Sequence, residues 1–167
     1  MHVRYNHYLI ICMLFLYGGL SPSALAQSKK RVLFLGNSYT AVNGLPGLLA
    51  DMALSAGDTV ISVSYAPGGY TLQDHAFNNT SLSRIRTGSW DFVVLQEQSQ
   101  LPSFPIEQVT AEVFPYARHL DSVIKAHNSC AQTIFYMTWG RKNGDAQNCA
   151  GWPPVCTYLG MDSLLRL

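Results

Sequence analysis

Arg31-Val-Leu-Phe-Leu-Gly-Asn-Ser-Tyr-Thr40 decides how this chain is read. An apolar run closes on a glycine, the pattern of a parallel strand covered on both faces. Polar residues capable of chemistry follow the glycine at once. Working outward, Leu45, Leu48, Leu49, Met52, Ala53 and Ala56 recur at helical spacing, with Pro46 in the first turn and Gly57 as the C-terminal cap. Thr59–Tyr65 reads as a second strand ended by Pro67-Gly68-Gly69, and Asp91–Leu95 as a third. Ile106 to His127 carries one apolar face and predicts a long helix kinked at Pro115. Thr133–Thr138 reads as a fourth strand, and Met161–Leu167 as the opening of a last helix. Strands alternating with helices specify an α/β fold with a parallel, flavodoxin-like sheet in three α/β/α layers. The sheet is expected to be incomplete at the C-terminus, because the chain stops inside a helical pattern.

The 167 residues include 11 basic and 10 acidic side chains, for a net charge of +1. That balance lacks the basic stripe that nucleic-acid binding requires. With 48% hydrophobic and 13% charged residues, the chain has ample apolar surface to bury, which excludes a disordered protein. The N-terminus holds Arg4 and His7, the apolar run Tyr8–Tyr17, then Ala24-Leu25-Ala26. This is the layout of a signal peptide over residues 1–26, too short to span a bilayer. It predicts export to the periplasm or beyond, with residues 27–167 as one domain and no membrane attachment after cleavage. In an oxidising compartment Cys149 and Cys156, separated by the turn-rich Ala-Gly-Trp-Pro-Pro-Val, are the favoured disulfide. Cys130 is then left as a small buried residue before a strand. No metal-ligand spacing accompanies the thiols, no metal or other cofactor is implied, and no Gly-x-Gly-x-x-Gly or Walker pattern suggests a nucleotide.

Ligands in such sheets bind beyond the carboxyl ends of the strands. Gly36-Asn37-Ser38-Tyr39-Thr40, Pro67-Gly68-Gly69-Tyr70, Gln96-Glu97-Gln98-Ser99 and Trp139-Gly140-Arg141 occupy those positions. Ser38 alone is the sort of serine found at any turn, and Gly69 alone the glycine of any tight turn. Together they place a hydroxyl, a backbone amide and a carboxamide on one rim, the parts that acyl transfer needs. Ser38 is not on a nucleophile elbow, because Thr40 stands where that motif has glycine. His75 beside Asp74 reads as an ordinary loop polar, and His119 and His127 as a solvated helix face. Trp139, Trp152, Tyr70 and Tyr158 fall in loops, where they either pack locally or stack on sugar rings. Two overlapping Asn-x-Ser/Thr sequons, at Asn78 and Asn79, are common by chance.

Three segments resemble the SGNH (GDSL-like) hydrolases. Val32–Thr40 with Asn43-Gly-Leu-Pro46 is similar to the family's first block, which implies that Ser38 is the nucleophile. Pro67-Gly68-Gly69 resembles the second block and implies Gly69 N–H in the oxyanion hole. Trp90–Ser99 resembles the third block in a Leu-Gln-x-x-Ser form associated with a bacterial branch. There Gln96 takes the place of the usual asparagine donor, with Gln98 as its rival. The resemblance implies a serine ester hydrolase acting on a small-molecule or carbohydrate ester, with an O-acetylated carbohydrate as the favoured substrate. The family's Asp-x-x-His is missing, since no aspartate after the signal region has a histidine three residues on. The expectation is a base beyond Leu167 and an impaired chain without it. The alternative is a non-catalytic carbohydrate-binding or interaction protein on the same fold.

Overall fold

The computed structural model describes residues 28–166; the signal-peptide reading and Cys12 lie outside them. Four parallel strands, β1 (Lys29–Leu35), β2 (Thr59–Tyr65), β3 (Phe92–Leu95) and β4 (Gln132–Phe135), lie in the order β2-β1-β3-β4. Leu33 pairs with Val63 on one side and Val93 on the other, so β1 is central. Central strands of a parallel sheet are covered twice, which is why β1 and β3 read as unbroken apolar runs. Leu33, Leu35, Val93 and Leu95 face the larger core, while Val32, Phe34 and Val94 form a smaller one on the opposite face. The fold is α/β, with helices flanking a parallel sheet, as the alternation predicts.

α1 (Ser38–Ala41) follows β1, and α2 (Leu45–Ser55) packs along the outer strand β2. Its apolar stripe is less buried than its spacing suggests: Pro46 is its one buried residue, and Met52 is 69% exposed. The larger core is covered by α3 (Leu72–Phe77), α4 (Asn79–Arg86), α5 (Ile106–Glu112) and α6 (Phe114–His127). α5 and α6 replace the single kinked helix that the sequence suggests. The chain breaks at Val113, and Pro115 sits in the first turn of α6, where its missing N–H costs no helical bond. β4 leaves the ladder at Phe135 rather than Thr138, and α7 (Tyr158–Leu165) starts three residues before Met161, capped by the Thr157 side chain on Gly160 N–H. The 72–86 helices have local signals: Thr71 and Asp74 form a reciprocal capping box, and Asn78 caps α4.

Cys149 and Cys156 are joined, with Cα atoms 4.7 Å apart. Cys130 is exposed, contrary to expectation. It lies in the turn before β4, and the residue that enters the core there is Ala131. Among the described residues no helix is long and apolar enough to cross a membrane.

Neighbouring positions on α6 test which face it buries. Leu120 is wholly buried in the larger core and His119 is exposed. Chemical denaturation should show a loss of about 2–5 kcal/mol for Leu120→Ala and less than about 0.5 kcal/mol for His119→Ala.

Candidate active site at the carboxyl ends of the strands

Asn37 organises the rim. Its backbone N–H donates to Gln96 Oε1 at 3.0 Å, and its Oδ1 accepts from Gln96 Nε2 at 2.9 Å. The same Oδ1 caps α1 by accepting from Tyr39 N–H. Its Nδ2 donates to the carbonyls of Tyr70 at 2.8 Å and Glu97 at 3.3 Å. One side chain therefore ties the loops after β1, β2 and β3 together. Thr40 Oγ1 adds a 2.8 Å bond to Gln96 Oε1. Gly36 is forced by this crowding, because a Cβ there would lie 2.4 Å from Thr40 Oγ1 and 2.7 Å from Gln96 Oε1.

A second clamp grips the corner from the other side. His75 is fully buried, its Nε2 2.9 Å from the Gly36 carbonyl and its Nδ1 2.8 Å from Ser81 Oγ. The carbonyl can only accept, so Nε2 carries the proton and Ser81 donates to Nδ1. Burial pushes the His75 pKa below its ordinary value, keeping the ring neutral. His75 is thus a structural clamp on the nucleophile loop and not the loop polar that the sequence suggests. Both its nitrogens are occupied, so it is not the missing base. His119 and His127 are exposed on α6, as expected for a solvated face.

Ser38 is exposed at the start of α1, and among the described residues neither its hydroxyl nor its N–H has a protein partner. Gly69 is exposed with φ of +77°, a conformation that favours glycine, and its N–H is likewise unpartnered. Each is next in sequence to a member of the Asn37–Tyr70 hydrogen bond, so the two residues flank a contact between the loops after β1 and β2. Gln96 differs from expectation. It is 0% exposed, and its Nε2 hydrogens go to Asn37 Oδ1 and the Glu97 carbonyl, leaving none for an oxyanion. Gln98 has the opposite character: half-buried, its Oε1 is held by Gln100 and Leu101 N–H, and its Nε2 has no partner among the described residues.

A cavity of about 560 Å³ opens between α6, β4 and α7, lined by apolar residues including Leu72, Phe114, Phe135 and Leu165. It contains Glu97 and Thr138, but not Ser38. The Thr138 hydroxyl is buried and has no partner among the described residues. Glu97 is 6% exposed and accepts from Leu72 and Gln98 N–H. Burial raises its pKa to about 7, against those two hydrogen bonds, which pull it down. Among the described residues no group of three His, Cys, Asp or Glu is placed to hold a metal ion.

No protein-family model matches this chain, and no curated protein does. Solved structures do. A protein from Slackia heliotrinireducens described as a candidate SGNH hydrolase is 29% identical, with a TM-score of 0.61 over 83% of this chain and 70% of that one. A DUF4886 family protein from Bacteroides uniformis shares the fold at 15% identity, with a TM-score of 0.66 over 82% of this chain and 60% of that one.

Glu97 gives this region a pH signature. A carboxyl raised from 4.5 to about 7 holds its proton more tightly folded than unfolded, so its contribution to stability is full below 4.5 and is lost as pH rises to about 7. His75, shifted down, acts in the opposite sense. Glu97→Gln should remove the first effect alone. The wild-type minus variant stability, from urea titrations, should fall between pH 4.5 and 7 by on the order of 3 kcal/mol at most. A difference that does not change with pH would contradict the buried carboxyl.

Proposed function

We propose that this chain, whose fold is that of the SGNH hydrolases, is a serine ester hydrolase with Ser38 as its nucleophile. One observation carries the reading: Ser38 is an unpartnered, exposed hydroxyl on a corner whose backbone is fixed by two buried clamps, Asn37–Gln96 and His75. A nucleophile must be free at the oxygen and immobile at the backbone, and this corner supplies both.

In the proposed reaction Ser38 Oγ attacks the ester carbonyl as a base takes its proton. The C–O bond to the alcohol breaks, the alcohol leaves protonated, and water then hydrolyses the acyl-enzyme. The free N–H groups of Ser38 and Gly69 stabilise the oxyanion, and Gln98 Nε2 takes the third place that the sequence assigned to Gln96. Among the described residues no histidine is hydrogen-bonded to Ser38. The substrate we favour is an O-acetylated carbohydrate met outside the cytoplasm, following the N-terminal signal pattern. The alternative is a binding protein that keeps the fold without turnover.

Incubation with 4-nitrophenyl acetate separates the two when the protein assayed carries the segment that supplies the base. The enzyme reading predicts one equivalent of rapid chromophore release and an acetylated protein in the intact mass, with Ser38→Ala reducing both at least about a hundredfold. Gln98→Ala should slow release roughly a hundredfold, with a stability loss of about 0.5–1.5 kcal/mol from the acceptor that Gln100 and Leu101 N–H lose. Gln96→Ala should instead destabilise the fold by about 1–3 kcal/mol, because it strands Asn37 and Thr40 partners. Equal slow release from wild type and Ser38→Ala, with no acetyl adduct, would leave the binding protein.

A further inference from the structure

The three tryptophans of the chain are treated differently by the fold. Trp90 is 5% exposed and donates its indole N–H to the Arg84 carbonyl at 2.8 Å. Trp152 donates to the Ser103 carbonyl at 3.0 Å. Trp139 is 41% exposed, and among the described residues its indole N–H has no acceptor. It is nonetheless held in place. Its ring stacks on Tyr39 with centroids 4.5 Å apart and 22° between the planes, and Tyr136 meets it edge-on at 6.3 Å. The loop beyond it is anchored by Arg141 Nη2 on Ser99 Oγ at 2.9 Å, and Gly140 sits where a Cβ would lie 2.5 Å from the Tyr158 carbonyl.

Tyr39 is the residue after Ser38, so the stacked pair is an aromatic wall that begins one residue from the proposed nucleophile. A fixed, half-exposed indole with a free N–H offers an apolar face and a polar edge together. A pyranose matches that combination, with axial C–H groups on one face and hydroxyl or acetyl oxygens at its perimeter. An alkyl chain matches only the face.

We infer that Trp139, backed by Tyr39, is the specificity subsite that receives the sugar ring of the substrate, its indole N–H donating to an oxygen at the ring's edge. The other three loop aromatics are not equivalent. Trp152 spends its N–H on the backbone, Tyr70 packs on His75 and accepts from Asn78 Nδ2, and Tyr158 lies on α7. The inference rests on the ester-hydrolase reading for its substrate, but binding can be measured without turnover.

The test uses the full chain carrying Ser38→Ala, so that hydrolysis plays no part. Methyl 6-O-acetyl-β-D-glucopyranoside and propyl acetate serve as probes, followed by calorimetry and tryptophan fluorescence. The sugar acetate should bind more tightly than propyl acetate and shift the indole emission. Adding Trp139→Ala should weaken the sugar about tenfold or more and leave propyl acetate unchanged. Trp139→Phe, which keeps a ring and loses the N–H, should fall between the two and guards against a misfolded alanine variant. Sugar binding that is undetectable, or unaffected by both substitutions, would overturn the subsite. So would a propyl acetate affinity that matches the sugar's and falls with it. Failure here leaves chromophore release by Ser38 untouched, and loss of that release leaves this binding result standing.

Discussion

Asn37 and Gln96 exchange hydrogen bonds in both directions, and the carboxyl end of the sheet is built around that exchange. In a parallel sheet every strand stops on the same side and hands its chain to a loop, so the unpaired peptide groups of several loops collect at one rim. They need partners, and buried ones need them most. Two side-chain amides meet much of that demand here. Asn37 spends both Nδ2 hydrogens on carbonyls of the second and third loops, and Gln96 spends its own on Asn37 and Glu97. Remove either and several buried groups lose partners together, which is why such networks respond as units and not as separate bonds.

The sheet was legible because its signal is collective. Four apolar runs with turn residues between them leave few alternatives, and the Gly-Asn-Ser block marks where the first strand ends. α3 and α4 were overlooked because each is short and α4 carries only Leu82 and Ile85 as large apolar residues; the caps at Thr71 and Asn78 are their clearest local signal. α2 misled in the other direction, since its spacing is helical but it packs only along β2, leaving much of its stripe uncovered.

The site divides in the same way. Ser38 and Gly69 could be placed from local sequence because their roles depend on backbone position. Gln96 and Gln98 could not be told apart, since both follow β3 and both end in the same group. Which one is spent depends on Asn37, 59 residues away. His75 was misread for a related reason. Its neighbour Asp74 suggests a polar loop, whereas its partners, Gly36 and Ser81, come together only when α3 and α4 fold against the corner.

Burial also shifts the titration of two groups that hold the loops of the rim. His75 is driven neutral, and Glu97 is driven toward its neutral form. Hydrogen-bond accounting then separates support from function. Asn37, Gln96, His75 and Trp152 are spent on protein partners. Among the described residues Ser38 Oγ and N–H, Gly69 N–H, Gln98 Nε2 and Trp139 Nε1 have no such partner, and all five belong to segments that follow the carboxyl ends of the strands. In the proposed reaction these donors, left unpaired on a braced rim, are the ones that meet the substrate.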